Sequence, residues 1–335
     1  MRYIVIGPGA VGGTVGGLLA HAGHDVVLVA RGEHREALLA DGLTVATPAR
    51  TITVRPPVVA HARELRDELA PRAGDALLVA VKSQDTAAVL DSWNCLPLDG
   101  SGGLAADLLP VFCLQNGVEN ERVAARRFTE VYGVRVELPA ELVAPGGVLA
   151  TGSPVSGVLE IGRYPAGTGP AAERFAADLN GSGFAARVTD QVMAAKYTKL
   201  LRNLRNAIVA ACGSTSSSAA RTLAELAVAE AVACYQAAGI EYLDLQVATA
   251  ARDDSIKELA VDGVTRGGVS SWQSLNRRSG SAETDYLNGE IVLLGRLHGV
   301  PTPVNEMLRQ VMNVLAARRE APGSVDPDAL LLRVR

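Results

Sequence analysis

The sequence predicts an α/β chain of two domains: a doubly wound, mostly parallel N-terminal sheet over residues 1–188, then an all-α C-terminal domain over residues 189–335. Three observations carry this. At 335 residues the chain exceeds one ordinary domain and gives each of two its own core. Short apolar runs bounded by Gly, Pro, Asp or Asn alternate with helical spacing through the first half, the pattern of a sheet covered on both faces. From about residue 190 long helical segments replace them.

Residues 3–6 form a short apolar run ending in glycines, residues 11–22 carry small and apolar residues at helical spacing, and residues 25–30 read as a second strand. Strand, tight turn, helix and strand in that order make a βαβ unit, whose parallel strands require a crossover. Residues 43–47 and 51–54 read as two strands with a turn between them, and residues 76–82 and 111–115 as two more. Residues 131–150 alternate apolar and polar positions, with Pro139, Pro145 and Gly146-Gly147 as breaks. That predicts a hairpin or antiparallel edge closing the domain. Residues 96–109, rich in Gly and Asp, read as a surface insertion.

In the second half, helices are expected over residues 191–212, 219–238, 250–259, 282–298 and 304–319, punctuated by Gly213, Gly239, Gly299 and Pro301. A further helical stretch opens at Ser270-Ser271.

Gly7-Pro8-Gly9-Ala10-Val11-Gly12 matches GxGxxG and sits directly after a strand and at the start of a helix. Gly7 permits the tight turn, Gly9 lets a pyrophosphate approach the backbone at the helix N-terminus, and Gly12 lets helix and strand pack closely. All six positions are candidate dinucleotide contacts in a Rossmann-like domain. An NAD enzyme would place Asp or Glu near the end of the second strand. Here the residues are Ala30 and Arg31, and a guanidinium binds a 2′-phosphate through paired hydrogen bonds where a carboxylate would repel it. The expected cofactor is therefore NADP(H), with Glu33 as the acid that could still reach back. Lys82 ends its strand at the carboxyl edge, where open α/β sheets bind ligands; it serves a cofactor phosphate or ribose, or is plain surface charge. Asn116-Gly117 is a tight turn at the same edge, functional or turn chemistry alone.

Lys199, Asn203 and Asn206 fall at i, i+4 and i+7 on one helix face, while Leu200, Leu201, Leu204 and Ile208 supply packing. Asparagine is a poor helix former, so this stripe points to ligand contact or to an interdomain hydrogen-bonding surface. Ser271 and Glu283, read alone, are helix-start residues.

With these residues in place the chain resembles the ketopantoate reductase (2-dehydropantoate 2-reductase) family. The likeness rests on Gly7-Pro-Gly-Ala-Val-Gly12, Arg31, Val81-Lys82, Gln115-Asn116-Gly117, Lys199-Leu-Leu-Arg-Asn203, and Ser271 with Glu283. It implies a helical domain like that of 6-phosphogluconate dehydrogenase and a substrate cleft between the domains. It also implies Lys199 as general acid, Glu283 interacting with it, and Asn116 positioning lysine and substrate. Asn203 would bind the substrate's hydroxyl or carbonyl and Ser271 its carboxylate, with Arg31 and Lys82 on the cofactor phosphate. The chain departs from the family where a second asparagine commonly stands eight residues after the lysine: here that position is Ala207, and Asn206 precedes it.

The expected reaction is reduction of ketopantoate to pantoate for coenzyme A biosynthesis. A paralogous reductase of another α-keto acid and a non-catalytic NADP-binding sensor are the alternatives. A net charge of -4 gives no footprint for nucleic acid. Cys95, Cys113, Cys212 and Cys234 lack metal-ligand spacing and read as buried free thiols. No leader and no membrane span is expected, hence a cytoplasmic protein, and the apolar helices make a homodimer plausible.

Overall fold

In the computed structural model, which describes residues 1–100 and 102–334 but not the side chain of Asp253, the chain forms two compact units. The first comprises residues 1–116, 120–193 and 249–266, the second residues 117–119, 194–248 and 267–335.

The first unit is built on an eight-stranded sheet. Its first six neighbours run Val58–Val59, Val26–Val29, Arg2–Ile6, Asp75–Val79, Val111–Cys113 and Val131–Glu137, all parallel. In chain order this is 3-2-1-4-5-6, the doubly wound arrangement of dinucleotide-binding folds. Val158–Arg163 then joins Val131–Glu137 antiparallel, and Ala185–Val188 joins it parallel.

Successive residues of the inner strands enter opposite layers. Tyr3, Val5, Val26, Leu28, Ala76, Leu78 and Phe112 pack on one face with Val15, Leu19 and Phe175. Ile4, Ile6, Val27, Val29, Leu77, Val79 and Val111 pack on the other with Leu65, Leu90 and Trp93. This double burial is why these strands read as unbroken apolar runs.

Several expectations are corrected. Leu43–Ala46 and Thr51–Val54 do not join the main sheet; with Gly147–Ala150 and Ala140–Ala144 they form a separate four-stranded sheet. Of residues 131–150, only the last part is a hairpin, and Val131–Glu137 is an interior strand, parallel to Val111–Cys113 and antiparallel to Val158–Arg163. Residues 96–109 are not a mere surface insertion, since Leu96, Leu98, Ala105 and Leu109 are buried beside Trp93. Residues 250–259 are not one helix: Leu245–Ser255 is helical, and Lys257–Glu258 pairs with Gly152–Ser153 in the first unit. Among the cysteines, Cys113 and Cys234 are buried, Cys212 is half-buried, and Cys95 is exposed.

The last three strands of the sheet carry an ion network centred on a buried carboxylate. Arg135 donates to Glu160 at 2.6 Å and to Glu137 at 2.9 Å, and Arg187 also pairs with Glu160, which is only 2% exposed. Burial alone would raise the Glu160 pKa, but the hydrogen bonds and charges of Arg135 and Arg187 outweigh it and hold it below the usual carboxylate value. A folded-state pKa below the unfolded one contributes stability that is present above the unfolded value and lost as pH falls through the folded one. Glu160→Gln is thus expected to lose roughly 1–3 kcal/mol at neutral pH. It should also show a shallower fall of stability than the parent below about 4.5. Urea unfolding at neutral and acid pH checks both, and parallel pH slopes would remove Glu160 from the account.

The second unit is helical. The helix expected over residues 191–212 is two, Val192–Asn203 and Arg205–Cys212, with Leu204 between them. The Leu204 carbonyl accepts from Asn288 Nδ2, which also donates to Asn305 Oδ1. Asn305 Nδ2 in turn donates to the Ala227 carbonyl and to Glu230, whose carboxylate receives the backbone N–H groups of Val304 and Asn305. One chain of largely buried hydrogen bonds therefore ties three helices to the Leu204 junction and caps Pro303–Ala317. The expected helix over residues 282–298 is likewise split, into a turn at Glu283–Tyr286 and the helix Asn288–His298. Among the described residues no helix is long and apolar enough to cross a membrane.

Candidate active site

The first unit gathers the glycine loop, Arg31, Lys82 and Asn116 at the carboxyl ends of neighbouring strands. Ile6 ends the first strand and Ala10 opens the helix Ala10–His21. Gly7 has φ +88°, and a Cβ there would lie 2.8 Å from Val81 Cγ1, so only glycine fits this turn. A Cβ on Gly12 would stand 2.4 Å from the Gly7 carbonyl oxygen and 2.9 Å from Ala80 Cβ. By contrast nothing lies within 4 Å of a Cβ built on Gly9. The helix has no side-chain cap and no acid in its first turn, so its unpaired N–H groups and positive dipole end keep their capacity for an anion.

Arg31 is exposed and is the residue from which the helix Gly32–Asp41 starts. Glu33, in that helix's first turn, is exposed too. Lys82 is half-buried and follows the Asp75–Val79 strand into the turn Ser83–Asp85.

A polar network that the sequence reading missed holds the two loops carrying Lys82 and Asn116. Asn120 donates from Nδ2 to Ser83 Oγ and to the Asn116 carbonyl, and accepts at Oδ1 from Thr86 Oγ1; Gln115 donates to the same Thr86 hydroxyl. All four side chains are buried. Asn120 opens a short helix, so in sequence it looks like an ordinary first-turn residue.

The second unit carries the remaining candidates. Lys199 is half-buried on Val192–Asn203, and Glu283 is half-buried in its turn. Asn203 and Asn206 are 9% and 8% exposed, and Ser271 is 4% exposed. Ser271 lies on Ser270–Asn276, which packs against Arg205–Cys212, the helix of Asn206. Among the described residues no protein group hydrogen-bonds the side chains of Asn203, Asn206 or Ser271. Ala207, where the family pattern has an asparagine, is 1% exposed.

A doubly wound sheet with a glycine loop at its first crossover, joined to a helical unit whose Asn203 and Asn206 carboxamides have no protein hydrogen-bond partner, defines a dehydrogenase-type oxidoreductase. The chain belongs to the ketopantoate reductase family: the family model "Ketopantoate reductase PanE/ApbA" matches residues 3–166 and its C-terminal counterpart residues 191–316. It is 31% identical to the 2-dehydropantoate 2-reductase of Caulobacter vibrioides, covering 93% of this chain and 98% of that one. It is 30% identical to the enzyme of that name from Mycobacterium tuberculosis, covering 95% and 98%. A crystal structure of a PanE/ApbA family ketopantoate reductase from Ralstonia eutropha matches with TM-score 0.77 at 28% identity, over 95% of this chain and 99% of that one. The ternary structure of D-mandelate dehydrogenase with NADH and anilino(oxo)acetate matches with TM-score 0.79 at 22% identity, over 96% and 100%; that likeness speaks to the fold alone.

Proposed function

We propose that the chain reduces 2-dehydropantoate to pantoate with NADPH, the step that serves pantothenate and coenzyme A synthesis, with Lys199 as general acid. The observation that carries this reading is the trio Asn203, Asn206 and Ser271, buried without protein hydrogen bonds. Their polar atoms are not sealed from solvent, so the three groups stay open to hydrogen-bond a small polar substrate. Asn203 takes the substrate's hydroxyl or carbonyl, Ser271 its carboxylate, and Asn206 adds a carboxamide one position before the family's usual place.

The glycine loop fits a dinucleotide. The open space over Gly9 and the uncapped helix N-terminus suit a pyrophosphate, and Arg31 and Lys82 suit the 2′-phosphate. When bound, the nicotinamide supplies the hydride. Negative charge then grows on the keto oxygen, where the Lys199 ammonium stabilises it and delivers the proton. Glu283 favours the charged form of the lysine, and Asn116 orients the substrate.

The test is NADPH oxidation with ketopantoate and a panel of other α-keto acids. The expected result is fastest turnover of ketopantoate, with NADPH preferred over NADH by at least about tenfold, the worth of one charge-assisted contact. Turnover of a different keto acid alone would reassign the substrate, an NADH preference would overturn the role of Arg31, and tight NADPH binding without turnover would leave a nucleotide sensor.

A further inference from the structure

His34 lies three residues past Arg31, half-buried on the helix Gly32–Asp41. Its ring touches two separate pieces of backbone. Nδ1 lies 3.0 Å from the Gly146 N–H, which can only donate, so Nδ1 is the acceptor. The proton of the neutral ring therefore sits on Nε2, which lies 2.8 Å from the Pro8 carbonyl. Pro8 is the second residue of the glycine loop, and its carbonyl belongs to the peptide plane that leads into Gly9. Gly146 belongs to the turn before Gly147–Ala150, the strand of the four-stranded sheet that also pairs with Leu43–Ala46.

We propose that His34 is a positioning residue for the cofactor: its Nε2–H fixes the Pro8–Gly9 peptide plane, so that the loop presents the conformation a dinucleotide pyrophosphate needs. The proposal rests on the reading of the glycine loop as the nucleotide site. The reason is one of freedom. Pro8 has no N–H of its own, and the Gly9 N–H is turned inward to the Gly7 carbonyl at 2.8 Å. The Pro8 carbonyl is thus the group by which this plane is held from outside the loop. A loop of glycines is otherwise free to sample other planes, and each must be excluded again when the ligand binds.

Two substitutions separate the halves of the contact. The carboxamide of Asn reaches where Nδ1 stands, and that of Gln reaches where Nε2 stands. His34→Asn keeps an acceptor for Gly146 but loses the donor to Pro8; His34→Gln keeps the donor to Pro8. Binding of NADPH is read by titration calorimetry and turnover by NADPH absorbance. His34→Asn is expected to raise both the Kd and the KM for NADPH by about tenfold, one hydrogen bond's worth. Its kcat at saturating NADPH and its KM for the keto acid should stay unchanged, while His34→Gln restores NADPH affinity to within about threefold. The opposite ranking, with Asn rescuing and Gln not, would make the tie to Gly146 the operative one and overturn the proposal. So would equal NADPH affinity in all three proteins. Failure of the unsubstituted protein to bind NADPH would instead overturn the nucleotide assignment itself, and the proposal with it.

Discussion

Lys199→Ala is expected to lower kcat by about 10²–10⁴-fold, the usual contribution of a positioned proton donor, while the Kd for NADPH stays within about twofold. The split follows from where the residue stands. Lys199 lies on Val192–Asn203 in the helical unit, whereas Gly7, Gly9, Gly12 and Arg31 all belong to the sheet unit. Alanine is the strongest helix former, so the helix is kept and circular dichroism should not change. Lys199→Arg separates charge from proton donation: a guanidinium keeps the positive charge but does not give up a proton, so it is expected to recover keto-acid affinity without recovering kcat. Turnover in Lys199→Ala equal to that of the parent would remove the lysine from the chemistry and turn attention to a proton delivered by solvent.

The parts of the molecule that were legible in the sequence are those whose signal is local. The Arg2–Ile6 strand, the glycine loop and the helix after it are contiguous, and double burial makes the inner strands read as apolar runs. The parts that misled are those where a distant partner cancels a local signal. Arg135 and Glu137 gave residues 131–137 the look of a half-solvated strand, yet the strand is interior, because both are engaged in one ion network with Glu160. Glu160 likewise hid the strand Val158–Arg163. At Leu204 there is no glycine or proline to mark a break, and the carbonyl there accepts from Asn288, a residue 84 positions on. In the site, Ser271 read alone as a helix-start residue, whereas Asn203 and Asn206 were visible as polar residues out of place. That they are buried without protein hydrogen bonds was not, because burial is decided by which helices pack together. His34 was invisible for the same reason, since its partner Gly146 lies 112 residues away.

The glycine loop yields the second large effect, because two of its glycines are required for different reasons. At Gly12 the requirement is steric: a Cβ would meet the Gly7 carbonyl oxygen at 2.4 Å and Ala80 Cβ at 2.9 Å. Neither is the far end of a flexible side chain, so helix and strand must separate. Gly12→Val is expected to destabilise the sheet unit by roughly 3 kcal/mol or more, beyond ordinary overpacking because backbone must move, and to abolish NADPH binding with it. At Gly9 the space for a Cβ is open and φ, at -77°, lies outside the left-handed region that demands glycine. Gly9→Ala is therefore expected to melt within a few degrees of the parent, yet to bind NADPH about tenfold or more weakly, since the methyl occupies the approach a pyrophosphate would use. Thermal melts with and without NADPH measure both quantities at once. If Gly9→Ala keeps the parent's NADPH-induced rise in Tm, the open space over Gly9 is not where the dinucleotide lies; if Gly12→Val melts like the parent, the close approach of helix and strand is not what that glycine is for.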